Sequence, residues 1–318
     1  MTKFRTLTRL AAGALALVAG CGGSSTGDGN GRVTVLLTDA PATFKAAVVT
    51  ITKITLQGSG GETVLSSTKT TTNLLTLAND AAKLVDAAVV KPGTYTELRF
   101  YISGGYVEVP AAIGSATEIY ASSSTYEGLP AGAAVTGQLK MPSFAQSGLK
   151  IDLPGDALVI KAESKVLLVD FDVTQSFGHE AGNSGSWVMH PVVKGAEITV
   201  SGNVVTTLKA GTGVTLPKIG GTTQVKLSDF KAVLKYPSGS EKALPFVDLG
   251  TGTFGVSFKY LLPNAAGEHY TVDVAGPVDA NGAATVTFAT NPAHPATVTV
   301  GQGVDVNADF TLTSATSP

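Results

Sequence analysis

From Val169 to Val173 apolar and acidic residues take strict turns: Val169, Phe171 and Val173 alternate with Asp170 and Asp172, and Leu167 extends the apolar set. Successive side chains of a strand point to opposite faces, whereas a helix would scatter these four apolar residues around its axis. This stretch can therefore bury one side only as a β-strand. The same period returns in Leu98, Phe100 and Ile102 against Glu97, Arg99 and Tyr101, in Phe254–Tyr260, and in Tyr270, Val272 and Val274. With β-branched residues punctuated by Gly and Pro, the pattern predicts an all-β chain of two tandem antiparallel β-sandwich domains.

Taken in order, Val33–Leu37 begins the fold as a strand and stops at Thr38-Asp39-Ala40-Pro41, where proline denies the next ladder hydrogen bond. Val48–Leu56 is a second strand with a bulge near Lys53. Leu74, Leu77, Ala78, Ala81, Leu84, Val85 and Ala88 fall at helical spacing and predict one short helix within 74–88. Trp187–Val193 reads as the closing strand of the first domain, and a boundary falls near Lys194–Glu197. In the tail, Val298, Val300, Val304, Val306, Ala308, Phe310 and Leu312 all occupy even positions, as two strands in one register around Gly301-Gln-Gly303 would. The expected domains are 32–196 and 197–318.

Ahead of them, Lys3, Arg5 and Arg9 precede the short apolar run Leu10–Val18, the composition of a secretory signal covering 1–20. Nine apolar residues are too few to cross a hydrocarbon core that needs about 20. Leu17-Val-Ala-Gly-Cys21 resembles a bacterial lipobox, which implies cleavage before Cys21, acylation of its thiol and attachment to a membrane. Lipoproteins of that kind carry several acyl chains, enough for lasting anchorage. Residues 22–31, rich in Gly and Ser, read as a flexible tether. No Asp follows the cysteine, so by the same analogy an outer membrane is expected over an inner one. Cys21 is the only cysteine, which excludes a disulfide framework and leaves no second thiol as a nucleophile. The 22 Lys and Arg gather in no segment and face 24 Asp and Glu, so a nucleic-acid partner is not expected.

Gly31-Arg-Val-Thr-Val-Leu-Leu-Thr-Asp-Ala-Pro41 with Val48–Ile54, then Pro92–Arg99, Met141–Lys150, and Val169-Asp-Phe-Asp172 with His190–Val193 together resemble domain-of-unknown-function family 4382 over about 31–195. That family consists mostly of bacterial lipoproteins, in keeping with Cys21, and implies no catalytic residues. His190 stands where the family pattern leads one to expect Lys. Farther on, Gly252-Thr-Phe254 with Leu262–Val272 resembles the transthyretin-like, carboxypeptidase-regulatory type of small sandwich, a fold shared with carbohydrate-binding-like modules.

Candidate chemistry is sparse. Gly250-Thr-Gly-Thr-Phe-Gly255 fits G-x-G-x-x-G but runs into a strand, where a dinucleotide site needs a helix. Asp305, Asn307 and Asp309 open like a calcium loop, yet Phe310 stands at the glycine place and no Glu closes it. His179-Glu180 lacks a second His, and the four histidines are spread widely, so neither metal nor cofactor is expected. Asp170 and Asp172 project to one side, as a ligand pair or as a solvated face. Asp39 is a turn cap or a ligand. Tyr101, Tyr106, Trp187 and His190 are the residues that could stack on a sugar, with core packing the competing reading for Trp187. The sequence therefore leads to a membrane-attached envelope protein of non-catalytic binding or structural role. Its partner would be a glycan or an envelope protein. A carbohydrate-binding module in the second domain is the first alternative and an enzyme the second.

Overall fold

Strand Gly31–Ala40 lies at the centre of the first half of the molecule. In the computed structural model, which describes residues 29–40, 42, 44–111, 116–141, 144–153, 157–177, 185–263, 267–301 and 303–318, it pairs with Ser164–Asp172 on one side and Ala82–Val90 on the other. Val193–Glu197 completes this four-stranded sheet. A nine-stranded sheet faces it, built on the long strands Ala46–Gly58 and Gly93–Pro110. Val33, Val35, Leu37, Leu167, Val169 and Phe171 of the smaller sheet meet Val49, Leu56, Leu98 and Phe100 of the larger in one core. Burying such a face of branched and aromatic side chains is what drives the two sheets together.

After Val193–Glu197 and a single 3-10 turn, Gly202–Ala210 starts a second pair of sheets, five- and four-stranded, with a separate core around Val204, Leu208, Phe230, Phe258, Val272 and Phe310. Among the described residues, no strand pairs across this junction. Pairing is mainly antiparallel, with parallel pairs at Gly31–Ala40 with Ser164–Asp172, at Gly202–Ala210 with Asp305–Thr316, and in the larger sheet at Gly137–Lys140 with both Thr117–Ala121 and Ser186–Val188. The bulge near Lys53 is present as a register shift between Ile51 and Lys53.

Three local readings change. Of the segment 74–88, only Leu74–Leu77 is helical, one 3-10 turn capped by the Asn73 side chain; Ala82–Val90 is a strand. Val33 pairs with Ala88 and Val35 with Val85, so Asp86 and Ala87 together oppose Thr34. Such a bulge turns a period of two into a step of three, and the apolar spacing then imitates a helix. The closing segment of the first half is likewise two strands: Ser186–Val188 joins the larger sheet and Val193–Glu197 the smaller. In the tail, Ala296–Val298 and Asp305–Thr316 lie in different sheets. Val298, Ala308, Phe310 and Leu312 share a parity because both strands face one core from opposite sides.

Candidate functional site

The core takes the odd-numbered face of Ser164–Asp172, and the even face carries Leu168, Asp170 and Asp172 outward toward the second pair of sheets. Leu168 is fully buried there against Ala196 and Leu262, with Leu36, Ala81 and Tyr260 packed around them. Beside this apolar seam Asn79 reaches across. Its Nδ2 donates to the Ser257 carbonyl at 3.1 Å, and its Oδ1 accepts the Lys259 N–H at 2.6 Å. Asn79 has a φ of 67°, a conformation Asn tolerates better than most residues.

Where the apolar seam ends, a cleft of 270 Å³ opens. Asp170, Asp172, Gln175 and Lys194 line it from the first half; Tyr236, Ser238, Glu268 and Tyr270 line it from the second. Asp172 is held in place locally: its Oδ1 accepts the Gln175 N–H at 2.9 Å and its Oδ2 accepts from Gln175 Nε2 at 2.7 Å, capping the one-turn helix Val173–Phe177. Asp170 lies opposite Lys194 in the strand ladder and is half-buried. Desolvation in the cleft, reinforced by the negative charge of Asp172 and only partly offset by Lys194, pushes its carboxyl up to about 7.

The far wall comes from a tight turn. Tyr236-Pro-Ser-Gly-Ser240 closes on itself through Tyr236 N–H to the Ser240 carbonyl at 2.9 Å, with Gly239 supplying a φ of 88°. Tyr236 meets Tyr270 edge-on, with ring centroids 5.4 Å apart. Tyr270 donates its hydroxyl to the Leu262 carbonyl at 2.9 Å, which ties the cleft wall to the apolar seam. Burial, and then the negative charge of Asp170, pushes both phenols well above their ordinary range, so both stay protonated at any physiological pH. The cleft therefore presents a carboxyl near its titration point, a second carboxyl held by Gln175, an amide, a lysine side chain and aromatic edges within one small space.

Of the residues singled out in the sequence, the cleft brings together Asp170 and Asp172. Asp39, 3% exposed, accepts the Val173 N–H at 3.2 Å and braces the start of the helix. Tyr101 is buried, with Lys53 Nζ 3.9 Å above its ring and its hydroxyl donating to Glu62. Tyr106 is buried against Tyr126. Trp187 packs between Phe44 and Tyr120 at the margin of the first core, and its indole N–H is buried with no partner among the described residues. His190 is exposed; its backbone N–H donates to the Ser176 carbonyl at 2.7 Å, and it does not line the cleft. Cys21, the signal segment, most of the tether and His179-Glu180 lie outside the described residues. Asp305, Asn307 and Asp309 are exposed along a strand, where Asp305 and Asp309 accept from Asn203 and Thr207. Among the described residues, no group of three His, Cys, Asp or Glu side chains could hold a metal, and no helix is long and apolar enough to cross a membrane.

The model of the domain of unknown function DUF4382 matches residues 30–191, from the residue before the central strand to the segment beyond Trp187. The chain belongs to this family. No curated protein matches this DUF4382 protein. Solved structures similar to it include the TIE protein of Bacillus anthracis, at 11% identity over 89% of this chain and 34% of that one, with a TM-score of 0.20. A putative adhesin from Bacteroides ovatus aligns at 9% identity over 88% of this chain and 87% of its own, with a TM-score of 0.22. The shaft pilin SpaA of Lactobacillus rhamnosus GG aligns at 9% over 90% and 99%, with a TM-score of 0.20. The chain spans about a third of the TIE protein's length. Likeness at this level carries no argument about what the DUF4382 protein binds.

Proposed function

We propose that this DUF4382 protein is a lipid-anchored cell-envelope protein of non-catalytic role that binds a glycan unit in the cleft between its two halves. The observation that carries the reading is the lining of that cleft. Asp170, Asp172, Gln175, Lys194 and Glu268 converge with Tyr236 and Tyr270 in 270 Å³, just under the roughly 300 Å³ at which small-molecule pockets begin. A sugar hydroxyl both donates and accepts. A protonated Asp170 and the Gln175 amide can do the same, while Asp172 and Glu268 accept and Lys194 donates. The tyrosine edges offer apolar contact to the C–H face of a sugar ring. Acylation of Cys21 would hold the protein at a membrane, with an outer membrane the expected address.

A second reading rests on Asp170 itself. A carboxyl raised to about 7 beside a second carboxyl, that of Asp172, is an arrangement that acid–base enzymes use. Against it, both oxygens of Asp172 are engaged by Gln175, which suits a fixed binding group better than a base. Calorimetric titration of the chain with envelope oligosaccharides tests both readings at once. The expected result is heat of binding without release of new reducing ends, lost in Tyr236→Ala. Binding that survives Tyr236→Ala and Asp170→Asn refutes the cleft as the site, and release of reducing ends favours the enzyme.

A further inference from the structure

The described chain begins at Gly29, at one end of the first domain. Gathered there are the turn Ser59-Gly60, the turn at Lys91-Pro92, and Val89, which line one hollow together with Asn30. Val159 pairs with Thr94 of that hollow, and Arg32 pairs with Val89. Val89 and Val159 are 50% and 47% exposed. Arg32, Lys91 and Lys161 are exposed around them and, among the described residues, join no ion pair. Of the acids nearby, Glu62 pairs with Lys53 and Asp86 with Lys83, while Glu163 shares Lys165 with Glu197. This end therefore shows two exposed apolar side chains and three exposed cations that, among the described residues, join no ion pair.

We propose that this pole is the face the protein lays on an anionic phospholipid surface. The proposal rests on acylation of Cys21. Eight peptide links separate Cys21 from Gly29, so at full extension the pole stands within about 28 Å of the bilayer, whatever path they take. Anionic headgroups attract exposed lysine and arginine within a Debye length, and apolar side chains among the cations can enter the headgroup boundary. Strand Gly31–Ala40 fixes the rest. It starts at the pole and runs in register with Ser164–Asp172, with Arg32 opposite Ser164 and Ala40 opposite Asp172. Eight residue steps of strand carry the chain about 26 Å, so the cleft at Asp170 and Asp172 is held away from the membrane.

Because Cys21 is the only cysteine and its thiol would be consumed by lipid, an introduced cysteine is the sole free thiol. Full-length acylated chain carrying Val89→Cys, Val159→Cys or Val247→Cys, the last 59% exposed on the second domain, is labelled with a fluorophore. It is then bound to vesicles of equal parts phosphatidylcholine and phosphatidylglycerol. The expected result is a several-fold drop in quenching by an aqueous collisional quencher at positions 89 and 159 and none at 247. A double variant Lys91→Glu/Lys161→Glu should reverse that protection while the protein still floats with the vesicles. Equal quenching at all three positions on floating vesicles overturns the proposal and leaves the anchor standing. A chain that does not float removes the anchor and the pole together.

Discussion

Replacing Asp170 by Asn should stabilise the protein at alkaline pH and leave it unchanged in acid. In the folded chain desolvation and Asp172 raise this carboxyl from 3.8 to about 7. Between those values the native state holds a proton that the unfolded chain has lost, so stability falls as pH rises through the window. Below both values the carboxyl is neutral in either state and its penalty vanishes. Above pH 7 the folded protein carries the full cost of a charged group in the cleft. A carboxyl displaced from 3.8 to about 7 carries up to about 4 kcal/mol at a pH above both values. Asn has nearly the same shape and no charge to desolvate. Urea unfolding of both proteins at about pH 8 and about pH 3 measures the difference directly. The expected gain for Asp170→Asn is several kcal/mol at the higher pH and close to zero at the lower. An equal effect at both, or a loss at pH 8, would mean that the carboxylate is stabilised as an ion, and the cleft would then be a solvated groove. A charged group kept where it destabilises the fold is what a binding site at this position predicts.

Further outcomes follow from the same geometry. Asn79→Gly keeps the backbone conformation while removing the amide that spans the two halves, and should cost about 1–3 kcal/mol in urea unfolding, since the Lys259 N–H loses its partner. Thr206 is fully buried with a hydroxyl that has no partner among the described residues; Thr206→Val should raise stability by about 1–3 kcal/mol. A Cβ added at Gly31 would overlap Ile160 and the Lys161 carbonyl, so Gly31→Ala should lose about 1–3 kcal/mol by overpacking, seen as a lowered melting temperature.

The first half of the molecule was legible because its strands bury one face each. Leu98, Phe100 and Ile102, and Leu167, Val169, Phe171 and Val173, are all at most 2% exposed, as their alternation required. What alternation could not reveal was the use of the other face. Leu168 shares its face of the strand with Asp170 and Asp172, and that apolar neighbour marks where the second pair of sheets docks. Tyr236 carries no motif, Glu268 lies in a stretch singled out only for its fold resemblance, and the two stand 32 positions apart; the cleft exists only because the fold brings their turns over Asp170. The aromatic residues chosen by type, Tyr101, Tyr106 and Trp187, are spent in packing, since a large ring on a strand is first of all core material. The bulge opposite Thr34 hid a strand behind helical spacing, because a period is readable only where no residue is inserted.

The Asn79 amide, introduced above as a bridge, also acts as a piece of edge strand. Ser257 and Lys259 turn their backbone groups away from Gly202–Ala210, on the side where Val247–Asp248 pairs only with Phe254 and Gly255. A stretch of unpaired backbone of this kind invites another chain to add a strand. One side chain, donating and accepting as a peptide group would, closes it. The second half expressed alone should therefore self-associate in a concentration-dependent way, and the first half serves as its plug as well as its neighbour.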